Sequence, residues 1–362
     1  MLTLPILAAT AAVYQTTAGI GPGPGAWQAA KPSAFGLSSA RLLNASTELH
    51  AVAAVRNCTL VVKNGYIVHE HYDSWSNEQS TFESDSMGKT AVAAIIGLAE
   101  YKGLLDIDKP IASYTNISDQ LAVWNATGVN FFPQLTVRHL LSQASGYGRV
   151  SPGLFFTYDS DNYIQYLSYV LGAVTGEDPV TWVTREFAVP MGLGTLFLFD
   201  ALPTGDISAG GGQLYTCRDA ARIGQLIASG GIWAGQDGQP VRMMSAEFAR
   251  GFITPQYPKS NAAYGFLTWL NTDVETVTPG LHCCAPRWGH AGFLCRQTTP
   301  VREDCVQCCR PRNAEKIVAS KMCNLNSTTL NEADAKVLVK PGRHCSQHQA
   351  PHPSCNSTIR FG

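Results

Sequence analysis

The sequence predicts an α+β fold: an antiparallel sheet flanked by helices, with an all-helical domain inserted between the halves of the sheet. Three observations predict it. Two short β-rich runs surround Asn64-Gly65 early in the chain, and Asn-Gly is the strongest short hairpin signal. Amphipathic stretches ending in glycine fill the middle, and short apolar segments return from Tyr264 onward. Helices between an early hairpin and late strands imply one sheet split by an insertion. The expected divisions are 19–105 and 216–293 for the two parts of the α/β domain and 106–215 for the helical domain. A Cys-rich C-terminal region follows at 294–362.

Residues 1–18 read as a secretory signal peptide. The apolar stretch Leu2–Val13 is shorter than the roughly 20 residues a membrane-spanning helix needs. Thr16-Thr17-Ala18 supplies a small-residue cleavage site. The stretch lacks the usual Lys or Arg, so an ordinary apolar N-terminus is the alternative. No other stretch is apolar enough for a transmembrane helix. Residues 19–35, rich in Gly and Pro, read as a linker. Cys58–Tyr72 is the hairpin. A helix begins near Ser86, continues its apolar stripe through Ala91, Ile95 and Leu98, and ends with help from Gly103.

Thr136 is placed to cap "VRHLLSQ", and Gly176 to close "NYIQYLSYVLGAVTG". Pro190 stops "PVTWVTREFAVPMGLG", and Gly230-Gly231 end the helix that follows "GGGQLYT". Asp219 and Arg222 fit an i,i+3 pair on that helix. Later, "YGFLTWLN", "RWGHAGFLC", "KIVASKM" and "KVLVK" read as strands or short apolar segments, with "NEADAKVLVK" open to a helical reading.

The chain has 362 residues, 45% hydrophobic and 15% charged, enough to bury one large core or two coupled domains. A net charge of −1 gives no electrostatic reason to expect nucleic acid or acidic membranes as partners. Asn44, Asn57, Asn116, Asn125, Asn326 and Asn356 each begin an Asn-X-Ser/Thr sequon, which with the leader points to a secreted glycoprotein. The 11 cysteines then read as disulfides. Cys217 reads as a buried unpaired thiol between apolar neighbours. Cys305 and Cys308 with His344 and His348 also have a zinc reading, but the histidines lie too far beyond the cysteines for a finger. No metal or organic cofactor is expected.

Gly88-Lys89-Thr90 raises a choice between a phosphate cradle and a nucleophile. A P-loop needs glycine where Glu83 stands, and a carboxylate there would repel the phosphate. Ser86 and Lys89 lie three apart, on one face of a helix. Lys89 can then take the Ser86 proton if its own pKa falls toward neutrality. The helix N-terminus offers N–H groups and a positive dipole end to an oxyanion.

Other segments give the pair company. "SDSMGKTAVAAIIGLAEYKGLLDIDKPI" resembles the nucleophile helix of the serine β-lactamase/penicillin-binding-protein superfamily, in its class C-like branch. "LTVRHLLSQASGYG", "FTYDSDNYIQYLSYVLGAVTG", "GGGQLYTCRDAARIGQLIASGGIW" and "RWGHAGF" resemble that branch's later segments, in order, over residues 58 to 293. The resemblance implies Ser86 as the acylated nucleophile, Lys89 as its base partner and Tyr158 as the second member of a proton relay. It implies an oxyanion hole from the backbone N–H of Ser86 and Phe293. Ser160, His290, Ala291 and Gly292 would line the substrate site, Gly292 leaving room for substrate to lie along the strand.

Ser160 stands where class C β-lactamases have Asn, and Ser160-Asp161-Asn162 also spells the S-D-N of class A; the flanking frame favours the tyrosine register. His290 replaces the Lys of the third motif, removing a permanent cation for a β-lactam carboxylate. These features resemble the branch's esterases and aminohexanoate-dimer hydrolases. After Phe293, "CRQTTPVREDCVQCCRPR" is polar and Cys-rich where the family has core strands, so it reads as a disulfide-stapled insertion or as a faulty gene prediction; if the last strands are absent, the sheet is incomplete. Arg138 and His139 read as ties within the helical domain, and Tyr264 and Trp269 as core or pocket wall. The expected function is a secreted serine hydrolase acting on a small-molecule or peptide-like ester or amide. A β-lactamase or D,D-peptidase, or a non-catalytic binding protein on the same scaffold, stand as alternatives.

Overall fold

The computed structural model describes residues 19–51, 58–115, 131–146, 151–158, 163–194 and 205–270, with the backbone of three strands at 281–284, 292–298 and 302–308. All lie in one unit ending at Asn326. Helix α1 (Ser39–Ala51) precedes strands β1 (Cys58–Lys63) and β2 (Tyr66–Tyr72). Asn64 and Gly65 take φ of 51° and 81°, the left-handed pair a tight hairpin turn requires. Nothing in the sequence reading anticipated α1. It is held to β2 by Ser46, whose hydroxyl donates to Leu42 O and lies 2.5 Å from His69 Nε2.

Strands β7 (Leu281–Cys284), β8 (Gly292–Thr298) and β9 (Arg302–Cys308) complete a five-stranded antiparallel sheet in the order β2-β1-β9-β8-β7. This corrects the reading of the Cys-rich stretch as an insertion. "REDCVQC" is β9, which pairs with β1 from Thr59↔Cys308 to Lys63↔Asp304 and with β8 on its other side. Its polar composition hid a strand whose place is set by backbone pairing.

Helix α2 (Gly88–Tyr101) forms the centre of the core. Gly88 through Ala99 are all buried, so it is apolar all round rather than striped. Tyr101 ends it, and Gly103 turns the chain with φ 73°. Helix α3 (Val137–Leu141) carries the expected Thr136 cap as a capping box, with the His139 ring receiving the Thr136 N–H. Helix α4 (Tyr166–Thr175) closes on Gly176, as expected.

Helix α5 (Pro179–Val183) runs through a π-helical stretch, Thr184–Ala188, into α6 (Val189–Met191). Pro190 therefore sits inside the last turn, and Gly192 at φ 67° is the stop. The wider π turn accommodates a proline that has no N–H to donate. Strands β3 (Thr81–Glu83) and β4 (Leu214–Thr216) pair and lead into α7 (Cys217–Ala228), which packs on β1, β8 and β9. Beyond it lie the hairpin β5 (Ile232–Ala234) with β6 (Pro240–Arg242), and α8 (Ala246–Gly251).

Three further expectations are corrected. Cys217 is not a free thiol: it is bonded to Cys58, because the hairpin start and the α7 start meet only in the folded chain. Asp219 and Arg222 form no direct hydrogen bond or salt bridge, although the Asp219 charge still favours the Arg222 cation. Asp219 receives the Thr216 hydroxyl and N–H and the Gly194 N–H, while Arg222 donates to Gly23, Gly25 and Met191 carbonyls. Those bonds also show that residues 19–30 are no loose linker. Gln225 holds Gly19 O, Trp27 Nε1 donates to Arg218 O, and Ala30 and Ile67 join β2 to the segment.

"KIVASKM", "KVLVK", "NEADAKVLVK", the leader 1–18, His344 and His348 lie outside the described residues. Among the described residues no helix is long and apolar enough to cross a membrane, and no cluster of His, Cys, Asp or Glu could hold a metal ion.

Candidate active site

The site is built on one sharp turn. Asp85 takes φ 45°, an uncommon conformation for a residue with a side chain. It starts a short 3-10 turn, Asp85–Met87, that feeds directly into α2. Ser86 is thereby held at the N-terminal end of a buried helix, where unsatisfied N–H groups and the helix dipole favour negative charge.

A glycine-rich loop clamps the turn from the other side. Ser84 N donates to Gln213 O at 2.7 Å, Gly212 N to Asp85 O at 3.2 Å, and the Ser84 hydroxyl to Gln213 Oε1 at 3.1 Å. Gln213 Nε2 reaches back to Ser208 O at 2.7 Å. The sequence reading used "GGGQLYT" only as a helix approach and missed this role. Its one available signal was three glycines in a row.

Lys89 is 1% exposed. Its Nζ lies 3.0 Å from Ser86 Oγ and donates to Gly210 O at 2.6 Å. The Gly210 carbonyl thus fixes the amine against the serine. Tyr158 completes the group from a different part of the chain, its ring centroid 5.0 Å from Lys89 Nζ. Burial pushes the Tyr158 phenol up from its usual pKa, and the neighbouring Ser86 hydroxyl and Trp269 indole offset part of that rise. At neutral pH it is a protonated phenol. Its Oη is sealed from solvent and makes no well-formed hydrogen bond among the described residues.

Aromatic rings wall this side. Trp269 lies 5.7 Å from Tyr158 and 4.9 Å from Tyr264, centroid to centroid, and Phe156 lies 5.0 Å from Tyr264. Tyr264 is buried, as the core reading expected. Of "YGFLTWLN", read as a strand or short apolar segment, the described residues 264–270 are a tight turn bridged Tyr264↔Trp269, with Leu267 at φ 47°. Arg138 and His139 are structural, as expected. Arg138 grips Asp108 through two bonds and Gln256 through a third, and His139 stacks on Tyr257.

The structure therefore brings Ser86, Lys89 and Tyr158 together. Ser160, His290 and Ala291 lie outside the described residues. Gly292 and Phe293 open β8, and Phe293 pairs with Cys284 on one side and Gln307 on the other. That register makes β8 an interior strand, and β7 is the strand at the sheet's edge.

An α+β fold with a serine–lysine–tyrosine group gathered at a helix N-terminus, its lysine buried, defines the class, a serine hydrolase. The chain belongs to the β-lactamase family: the sequence model described as Beta-lactamase matches residues 50–339. At that level it is a serine hydrolase that cleaves an ester or amide bond. No curated protein matches the sequence.

Among solved structures, the chain is similar to a candidate beta-lactamase from Bacteroides dorei DSM 17855, at 16% identity and TM-score 0.60 over 80% of this chain and 98% of that one. It is similar to a family VIII carboxylesterase at 15% identity and TM-score 0.58, over 82% and 99%. It is also similar to a candidate 6-aminohexanoate-dimer hydrolase from Bacillus anthracis at 16% and 0.54, over 86% and 89%. At such identities the likeness shows the shared fold.

Proposed function

We propose that the protein is a secreted serine esterase or amidase of the class C-like branch, working through an acyl-enzyme on Ser86. The observation that carries this is the 3.0 Å approach of Lys89 Nζ to Ser86 Oγ with the Tyr158 ring 5.0 Å from the same amine. In acylation, Ser86 Oγ bonds to the carbonyl carbon and its proton passes to the free amine of Lys89. The tetrahedral intermediate then collapses, the bond to the leaving group breaks, and that group takes a proton from Tyr158. Lys89 restores the phenol, so the net transfer is from serine to leaving group. Water repeats the sequence in deacylation. Ser86 N–H, at the head of α2, is one oxyanion donor, worth about 3–4 kcal/mol in such sites.

The tyrosine register supports the class C-like assignment, and His290 in place of a lysine supports an ester or unactivated amide over a β-lactam carboxylate. The names of the carboxylesterase and the dimer hydrolase above point the same way. Secretion is supported by the apolar leader, the sequons and the Cys58–Cys217 disulfide. Asn44 is exposed, and the other sequon asparagines lie outside the described residues.

The test is a fluorophosphonate probe on the intact protein, read by mass spectrometry, with Ser86→Ala as control. Labelling at Ser86 with hydrolysis of p-nitrophenyl butyrate and not of nitrocefin is the expected result. Nitrocefin turnover would indicate a β-lactamase. Folded protein that resists the probe would indicate a binding protein on this scaffold.

A further inference from the structure

Two buried polar atoms beside the reacting serine have no partner. Tyr158 Oη and Trp269 Nε1 are both sealed from solvent without a hydrogen bond among the described residues. Buried polar groups are paired in the great majority of cases, so two orphans side by side call for an explanation. Their rings lie 5.7 Å apart at a tilt of 31°.

The turn that carries Trp269 is tied to the nucleophile helix. Thr90, the residue after Lys89, donates its hydroxyl to Leu267 O at 3.1 Å. Leu267 N donates to Leu141 O at 2.6 Å, and Gly265 N to Thr268 O at 2.8 Å. Leu267 is held at φ 47° within this turn. Strained backbone of this kind persists only where its surroundings over-determine it. The indole is therefore placed relative to Ser86 and Lys89 by the same helix that presents them.

We propose that Trp269 is a positioning residue that sets the direction of the proton relay by aiming its N–H at Tyr158 Oη. An indole N–H can only donate, whereas a phenol both donates and accepts. Once Trp269 occupies an acceptor site on Oη, the phenol's own O–H must point elsewhere, toward Ser86 Oγ and the leaving group. In the resting enzyme the contact lacks the full geometry of a hydrogen bond, as catalytic contacts often do before substrate binds. The neighbours that offset Tyr158's burial are Ser86 and Trp269, the two ends of this alignment.

The inference rests on the proposed roles of Ser86 and Tyr158. Trp269→Phe keeps an aromatic ring and removes the donor. The expected result is a fall in kcat of about tenfold with KM within about twofold. The variant combined with Tyr158→Phe should lose no more than Tyr158→Phe alone, because the indole acts only through the phenol. Losses that multiply in the double variant, or an unchanged kcat, overturn the proposal.

If Trp269→Phe does not fold, Thr90→Val cuts the tie to Leu267 and should show the same non-additivity with Tyr158→Phe, with multiplied losses again overturning it. Fluorophosphonate labelling of the wild-type protein separates the two levels. A wild type that is not labelled at Ser86 overturns the underlying reading and this one with it. A labelled wild type with multiplied losses overturns the role of Trp269 alone.

Discussion

Gly88 leaves no room for a side chain. A Cβ there would lie 1.5 Å from Gln213 Oε1 and 2.9 Å from the Gly211 backbone. Gln213 holds Ser84, and the adjoining Gly210 carbonyl holds Lys89, so the displaced atoms are those that align the pair. Gly88→Ala should lower kcat by at least about tenfold while the protein stays folded. Steady-state kinetics beside a circular dichroism spectrum check it.

A second residue-scale prediction concerns acid. Burial pushes His139 and His69 down from 6.5 to about 4, so between these values the unfolded chain binds protons that the folded one does not. Their contribution to stability is complete above about pH 6.5 and is lost as pH falls toward about 4. His139→Gln keeps a capping-box side chain at this position and removes one titrating group. It should flatten the fall of the thermal midpoint between those pH values.

At the scale of elements, the Cys58–Cys217 disulfide closes a loop of 159 residues and joins the start of β1 to the start of α7. A link of that length restricts the unfolded chain strongly, and its removal should cost about 2–5 kcal/mol. Denaturant unfolding of Cys58→Ser/Cys217→Ser, or of the wild type under reductant, measures it. The same α7 fastens residues 19–27 through Arg222, Gln225 and the Arg218 carbonyl. Several helices were readable because they carry their own caps or breakers: Thr136, Gly176 and Gly230 all act where the pattern placed them. Composition failed where an element is defined by its neighbours. Residues 264–270 of "YGFLTWLN" have strand composition but turn back to bridge Tyr264 with Trp269, and "REDCVQC" lacks strand composition but lies between two strands.

For the molecule as a whole, β9 joins the hairpin formed before the helical insertion to the strands formed after it. A chain ending before Val301 would leave β1–β2 and β7–β8 without a common partner. That truncation should yield protein without a cooperative thermal transition, observable by calorimetry, whereas loss of Ser86 should leave the transition unchanged.

The sequence by itself determined the α+β class, the hairpin, the helices from Ser86 through Gly231, and the serine–lysine pair, because caps, turns and three-residue spacing act within a few residues of each other. Tertiary structure alone decided the Cys58–Cys217 bond, the Gly210 and Gln213 clamp, the strand made from a polar Cys-rich stretch, and the tryptophan beside Tyr158. Each of these joins residues distant in sequence, and the energy that selects them comes from burial and backbone pairing available only once the chain has closed on itself.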